Sequence, residues 1–212
     1  MMTFLRFSLV WLWVIAMAVL VTIALAWLSY PLAIDYFKIS DQVFMSKSSI
    51  LYNFRELMHY LTYPWVSKLA LPSFSSSQAG LAHFKDVKGL FHFTQAVALV
   101  LAYPSFRLLR SKQTDLFERS KWQGFYLLAL ALPLILALFA ICIGFEQFFT
   151  LFHQVLFPGK SNWAFDPLTD PVIWLLPEQF FMACFILFFV LYEGSFGLLY
   201  GLNRRHLLKS KL

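Results

Sequence analysis

Four stretches of this chain are each long and apolar enough to cross a bilayer: roughly Phe7–Leu28, Leu90–Leu109, Gly124–Gly144 and Phe180–Gly201. A crossing needs about 20 mostly apolar residues, wound so that every backbone polar group is satisfied inside the segment. For a chain of 212 residues that leaves little choice. The expected fold is an all-α integral membrane protein with four transmembrane helices, a single membrane domain over 1–212. The residues left over collect in two long segments, 30–89 and 145–179, which the alternation of spans puts on one side as a cap. With 60% hydrophobic and 13% charged residues, an ordinary soluble domain is excluded. No internal repeat is visible, so the inverted-repeat signature of many transporters is missing. The first run follows Arg6 as a signal peptide would, but it exceeds the usual apolar length and Ser29-Tyr30-Pro31 is no small-residue cleavage site. It reads as an uncleaved first helix.

Lys and Arg placement orients the spans, since cytoplasmic loops carry the excess. Ten of the 17 basic residues fall on one side: Arg6, Arg107, Arg110, Lys112, Arg119, Lys121, Arg204, Arg205, Lys209 and Lys211. Both termini are therefore expected in the cytoplasm and the cap outside. The same rule accounts for the net charge of +6, and no nucleic acid partner is needed. Cys142 and Cys184 lie inside the third and fourth spans, where buried thiols pack rather than react.

Within the first cap segment, Leu51, Phe54, Leu57, Met58 and Leu61 recur at helical spacing, predicting a short amphipathic helix that Pro64 ends. Tyr52, Tyr60, Tyr63 and Trp65 suit the headgroup layer. Ser75-Ser76-Ser77-Gln78 resembles a capping box. A helix starting there would run into the second span, carrying His83, Asp86 and Val87 on one face. In the second segment, Glu146, Phe149 and His153 share a face if the third helix continues. The Asp166-Pro167 and Asp170-Pro171 steps then break any helix. Pro177-Glu178 opens the fourth span with an acid near the positive end of its dipole.

No G-x-S-x-G elbow, phosphate-binding loop, H-E-x-x-H or C-x-x-C occurs, and no cysteine faces the cap. What remains for chemistry is histidine, the commonest acid–base side chain: His59, His83, His92 and His153 on the cap side, and His206 in the tail. Taken singly, each is as well read as a hydrogen-bonded interfacial residue. His83 and His153 differ in having a carboxylate on the same predicted face, Asp86 and Glu146. Those four groups are also the alternative for a metal, but their spacing matches no tight zinc motif. The Phe145, Phe148, Phe149, Phe152 and Phe157 stripe serves equally as packing or as the wall of an acyl-chain pocket.

Two motifs carry a resemblance. HFKDVKGLF at His83–Phe91 is similar to an H-[FM]-x-D-V-K segment. The run from Phe145 to Phe181, FEQFFTLFHQVLFPGKSNWAFDPLTDPVIWLLPEQFF, is similar to F-[DE]-x-x-F-x-x-F-H…N-x-W-x-x-D-P-x-T-D…L-P-E-x-F-F. Both belong to the small four-span membrane proteins that include the lipoprotein intramolecular transacylase of Gram-positive bacteria. The turn Pro158–Trp163, PGKSNW, departs from the more acidic, Asn-rich turn expected there.

The resemblance implies an acyltransferase of the bacterial cell membrane, active at the extracellular membrane interface. Its substrate would be a diacylglyceryl-modified lipoprotein, and it would work among membrane lipid. The sn-2 acyl chain would move to the α-amine of the N-terminal cysteine, giving the lyso-form. It also implies His83 and His153 as catalytic, with Asp86, Lys88, Glu146, Asn162, Trp163 and Asp166 binding substrate or shaping the site. General acid–base chemistry of this kind calls for no metal and no cofactor. The rival expectation is a non-catalytic membrane assembly or chaperone factor, with the cap as its docking surface. A small transporter is the third, but polar residues are nearly missing between Ala96 and Ala140 outside the basic connector.

Overall fold

The computed structural model describes residues 2–110 and 116–209. Lys112 and Lys211, which count toward the expected orientation, lie outside them. Helices α1 (Met2–Tyr36), α4 (Gln78–Arg110), α5 (Leu116–Ile143) and α7 (Glu178–Lys209) are the long ones. Each is long and apolar enough to cross a membrane, and no strand occurs among the described residues. The protein is all-helical, with four candidate membrane-spanning helices. Between them stand the short α2 (Ile39–Val43), α3 (Lys47–Thr62) and α6 (Phe145–Leu156), and a 3-10 turn at Pro171–Leu175.

The chain divides into two compact units. One comprises Met1–Thr22, Thr94–Gly144 and Ile186–Leu212. Its core is aromatic: Phe7, Trp122, Tyr126, Tyr192 and Phe196 are each at most 5% exposed. Polar side chains tie helix to helix there. Trp11 Nε1 donates to the Tyr192 hydroxyl at 2.7 Å, which donates to the Ala129 carbonyl at 3.0 Å. The Thr3 hydroxyl meets the Glu118 carboxylate at 2.8 Å. Interhelical hydrogen bonds of this sort join helices where lipid removes the hydrophobic drive to associate. On α5, Ile135, Leu138 and Ile141 are each more than 60% exposed, an apolar surface suited to lipid.

The other unit comprises Ile23–Phe93 and Phe145–Phe185, and so gathers both of the long segments expected to form a cap. Here α1 runs on past Leu28 to Tyr36, through Pro31. Tyr30 and Ile34, at most 1% exposed, hold that extension in the core. The Tyr30 ring stacks on Phe54 at 3.4 Å, and its hydroxyl donates to the Leu175 carbonyl at 2.7 Å. The amphipathic helix expected around Ser49–Leu61 is α3, and it stops at Thr62 with Tyr63 extended before Pro64. Asn53, fully buried, donates to Ser73 Oγ and accepts from the Ser73 amide, tying α3 to the following loop. The helix expected to enter the second span is α4, but its cap is not the Ser75–Gln78 box. The Ser77 hydroxyl accepts from the Gly80 amide at 2.9 Å, the geometry of an N-cap serine. Gly144, at φ +85°, ends α5 in the left-handed region where glycine is at ease, and α6 starts anew at Phe145. As expected, α7 opens at Glu178.

Candidate active site

His83 lies in the second turn of α4, and His153 near the end of α6. Both are buried, at 6% and 8% exposure, and their ring centroids are 5.8 Å apart. Aromatic rings enclose them. Phe157 and Phe165 set their edges against His83 at 5.0 and 5.5 Å, and Trp163 stacks on His153 at 5.0 Å. Phe149 covers the other approach to His153 at 4.3 Å. The two histidines foreseen from the motifs therefore share one aromatic cluster.

Their partners differ from those the helical spacing predicts. His153 Nδ1 lies 2.8 Å from the Phe149 carbonyl. A carbonyl oxygen only accepts, so Nδ1 carries the hydrogen and the lone pair of the neutral ring is on Nε2. Burial holds the His153 pKa below its ordinary 6.5, against the smaller opposing pull of that carbonyl. Glu146 stands apart. It is exposed and lines an open depression with Gln147, Thr150, Leu151 and Gln154. His83 Nδ1 is buried and has no hydrogen-bond partner among the described residues.

Asp86 turns to the loop after α6. Lys160 Nζ lies 2.7 Å from both of its oxygens, and Asn162 Nδ2 donates to Oδ2 at 3.4 Å. The tail end of α6 and the α4 face bearing His83 are thus clasped by one ion pair and one amide. Trp163, held by its Nε1 bond to the Lys160 carbonyl, completes that clasp by reaching His153. Lys88 points elsewhere. Its ammonium reaches the Tyr63 and Val66 carbonyls and sits 4.5 Å over the Tyr60 ring, a cation on the open C-terminal end of α3. Asp166 is exposed and shapes its own turn, accepting from the Leu168 amide at 2.9 Å. Of the eight site residues foreseen, His83, His153, Asp86, Asn162 and Trp163 come together, while Lys88, Glu146 and Asp166 do not.

Sequence reasoning missed Asp170. It is 3% exposed and accepts from the Ser77 amide, the Ser77 hydroxyl and the Thr169 hydroxyl at 2.7 to 3.0 Å. It therefore holds the start of α4, and with it the helical turn that bears His83. A Cβ on Gly80 would lie 2.2 Å from Asp170 Oδ1, so the glycine is what lets the carboxylate approach. The Asp170-Pro171 step signals a turn, but nothing local points to Ser77. His59 packs between Trp27 and Tyr63, outside that cluster. Among the described residues, no three of His, Cys, Asp and Glu converge as metal ligands do.

The sequence profile described as "Lipoprotein intramolecular transacylase Lit" matches residues 4–181. The chain belongs to that family. It is thus a member of a family of acyltransferases. A solved structure of the membrane-integral lipoprotein intramolecular transacylase Lit from Bacillus cereus is 31% identical, with a TM-score of 0.82, covering 99% of this chain and 95% of that one. Two further structures of the Bacillus cereus protein, each with one histidine replaced (by arginine in one, by alanine in the other), are 30% identical with TM-scores of 0.73. They cover 99% of this chain and 93% and 95% of their own. Among curated protein sequences none matches at a significant level.

Proposed function

We propose that this protein, a single membrane domain, moves the sn-2 acyl chain of a diacylglyceryl-cysteine lipoprotein to the α-amine of that cysteine. The product is the lyso-form lipoprotein. The observation that carries the reading is the pairing of His83 and His153, brought from two separate helices into one buried aromatic cluster. Both termini are read as cytoplasmic, from the Arg and Lys bias, and the histidine pair as lying at the extracellular face among membrane lipids.

The reaction divides naturally between the two rings. An α-amine has a pKa of about 8, so part of the substrate enters as free amine. Its nitrogen attacks the sn-2 carbonyl carbon, forming the C–N bond and placing negative charge on the carbonyl oxygen. His153 Nε2, whose lone pair is fixed by the Nδ1 bond to Phe149, takes the proton that nitrogen sheds. Collapse breaks the bond to the sn-2 oxygen, and the His153 imidazolium returns the proton to that leaving alkoxide. The products are an amide and a free sn-2 hydroxyl. His83 Nδ1, buried and without a protein partner among the described residues, is the donor we assign to the oxyanion, where preorganised donors contribute most. Since amine and ester belong to one molecule, holding them together replaces a bimolecular encounter. The aromatic rings packed around both histidines offer an acyl chain apolar contact.

The test is a diacylated reporter lipoprotein co-expressed with this protein in a host lacking N-acyltransferase activity. Intramolecular transfer leaves mass unchanged, so the N-terminal lipopeptide is fragmented by tandem mass spectrometry. Fragments with one acyl chain on nitrogen, lost with His83→Ala or His153→Ala, are expected. A free amine alongside well-folded wild-type protein would overturn the proposal in favour of a non-catalytic assembly factor.

A further inference from the structure

A second buried polar atom near the two histidines has no protein partner among the described residues. Asn162 Oδ1 is buried and meets no hydrogen-bond donor among the described residues, although the same side chain's Nδ2 is engaged by Asp86. The orientation of this amide is not arbitrary. A carboxylate paired with Lys160 only accepts, so the NH₂ end must face Asp86 and the oxygen must face away. Lys160 and Asp86 thereby aim an acceptor. A buried acceptor left unmatched is costly, and its neighbour Trp163 lies stacked on His153. The group that completes it is an N–H or O–H donor brought by the substrate.

We infer that Asn162 Oδ1 receives the second N–H of the substrate's α-amine and so orients the nucleophile. This rests on the transacylase reading above and deepens it. A primary amine brings two hydrogens to the attack. One is shed to His153 as the C–N bond forms. The other stays on nitrogen through to the amide product, and it is the one Asn162 holds. With that N–H bound to Oδ1 and the departing one aimed at His153 Nε2, the nitrogen lone pair has a single direction left, toward the ester carbon. Nitrogen gains positive charge during attack, so the bond to Oδ1 strengthens in the transition state and contributes to rate as well as to binding.

The inference separates two substrates that differ by one hydrogen. A synthetic diacylglyceryl-cysteine peptide is compared with its N-methyl analogue, a secondary amine whose one N–H is shed in the reaction, leaving nothing for Asn162. Both are assayed with the purified full chain, with Asn162→Leu (similar in shape, without an acceptor) and with Asn162→Gln. Wild type should acylate the primary amine about 10- to 100-fold faster than the analogue, the range of a hydrogen bond to a charged group. Asn162→Leu should slow the primary amine about 10-fold more than it slows the analogue. Asn162→Gln should recover part of the preference. Equal slowing of both substrates by Asn162→Leu would overturn the inference, since it would mark a loop-shaping role. Should Asn162→Leu fail to fold, the wild-type comparison decides, and equal rates on both amines overturn it. Failure of the wild type on the primary amine would instead refute the transacylase reading itself.

Discussion

The two units solve the same problem, polar groups in an apolar setting, in different ways. In the unit containing Thr22 and Gly144, polar side chains join one long helix to another, as Trp11, Tyr192 and Ala129 do. In the unit containing His83 and His153 they join helices to irregular chain. Asn53 holds Ser73, Lys88 holds Tyr63 and Val66, Asp170 holds Ser77, and Asp86 holds Lys160 and Asn162. Irregular backbone cannot satisfy its own donors and acceptors, so it needs side chains that helices do without. The difference teaches where sensitivity should lie. Loss of a polar group from the first unit costs stability alone, whereas loss from the second misplaces chemistry.

The strongest challenge to that contrast is removal of the histidines. His153→Ala and His83→Ala should each lower N-acyl transfer about 10²- to 10⁴-fold, with helicity by circular dichroism unchanged. The next effect is on pH. Because the His153 pKa lies below 6.5, the ring stays neutral from there upward, and only the substrate amine titrates. Transfer rates should climb about tenfold per pH unit and level off only at the amine pKa of about 8, without an earlier break near 6.5; a break there in the measured profile would deny His153 its role. The same shift has a sign in stability. The folded protein binds that proton less readily than the unfolded chain, so stability should fall as pH drops through 6.5 and be unaffected by this group above it.

Third comes the start of α4. Asp170→Ala strands the Ser77 amide and two hydroxyls and should cost about 3 kcal/mol, while Gly80→Ala should cost about 2 kcal/mol by overpacking. Thermal unfolding measures both, and each should reduce transfer more than its loss of stability explains. Tyr192→Phe, in the first unit, should cost about 1 kcal/mol and leave transfer in the folded fraction intact. Were it to impair transfer as Asp170→Ala does, the contrast between the units would be broken. The smallest effect is for Lys160→Met. The pair with Asp86 is partly exposed, at 48% and 26%, so its stability loss should stay below about 1 kcal/mol. A several-fold slowing of transfer is still expected, because Asn162 loses its aim.

The parts of this protein legible in the sequence are those set by local rules. Apolar runs gave the four long helices, Pro64 and Tyr63 the end of α3, and Pro177-Glu178 the start of α7. His83 and His153 emerged from motif context, and the structure brings them together. What stayed hidden is long-range. Asp86 shares a helical face with His83, yet Lys160, an ammonium from a distant loop, is its partner. Glu146 shares a face with His153 only by extrapolation over two turns, and the Phe149 carbonyl one turn away takes the ring nitrogen first. The Ser75–Gln78 box is a local pattern that lost to Ser77, because Asp170 supplies a better partner from across the fold. Spacing cannot foresee a competitor that arrives from elsewhere in the chain.

The stacking of Trp163 on His153 also makes the site self-reporting. An indole in face contact with imidazole fluoresces until that imidazole gains a proton, when the cation quenches it. Trp163 is one of seven tryptophans, so the difference in emission between the protein and Trp163→Phe isolates its signal. The proton on the proposed base thus has an optical readout built into the chain, visible without label, substrate or turnover.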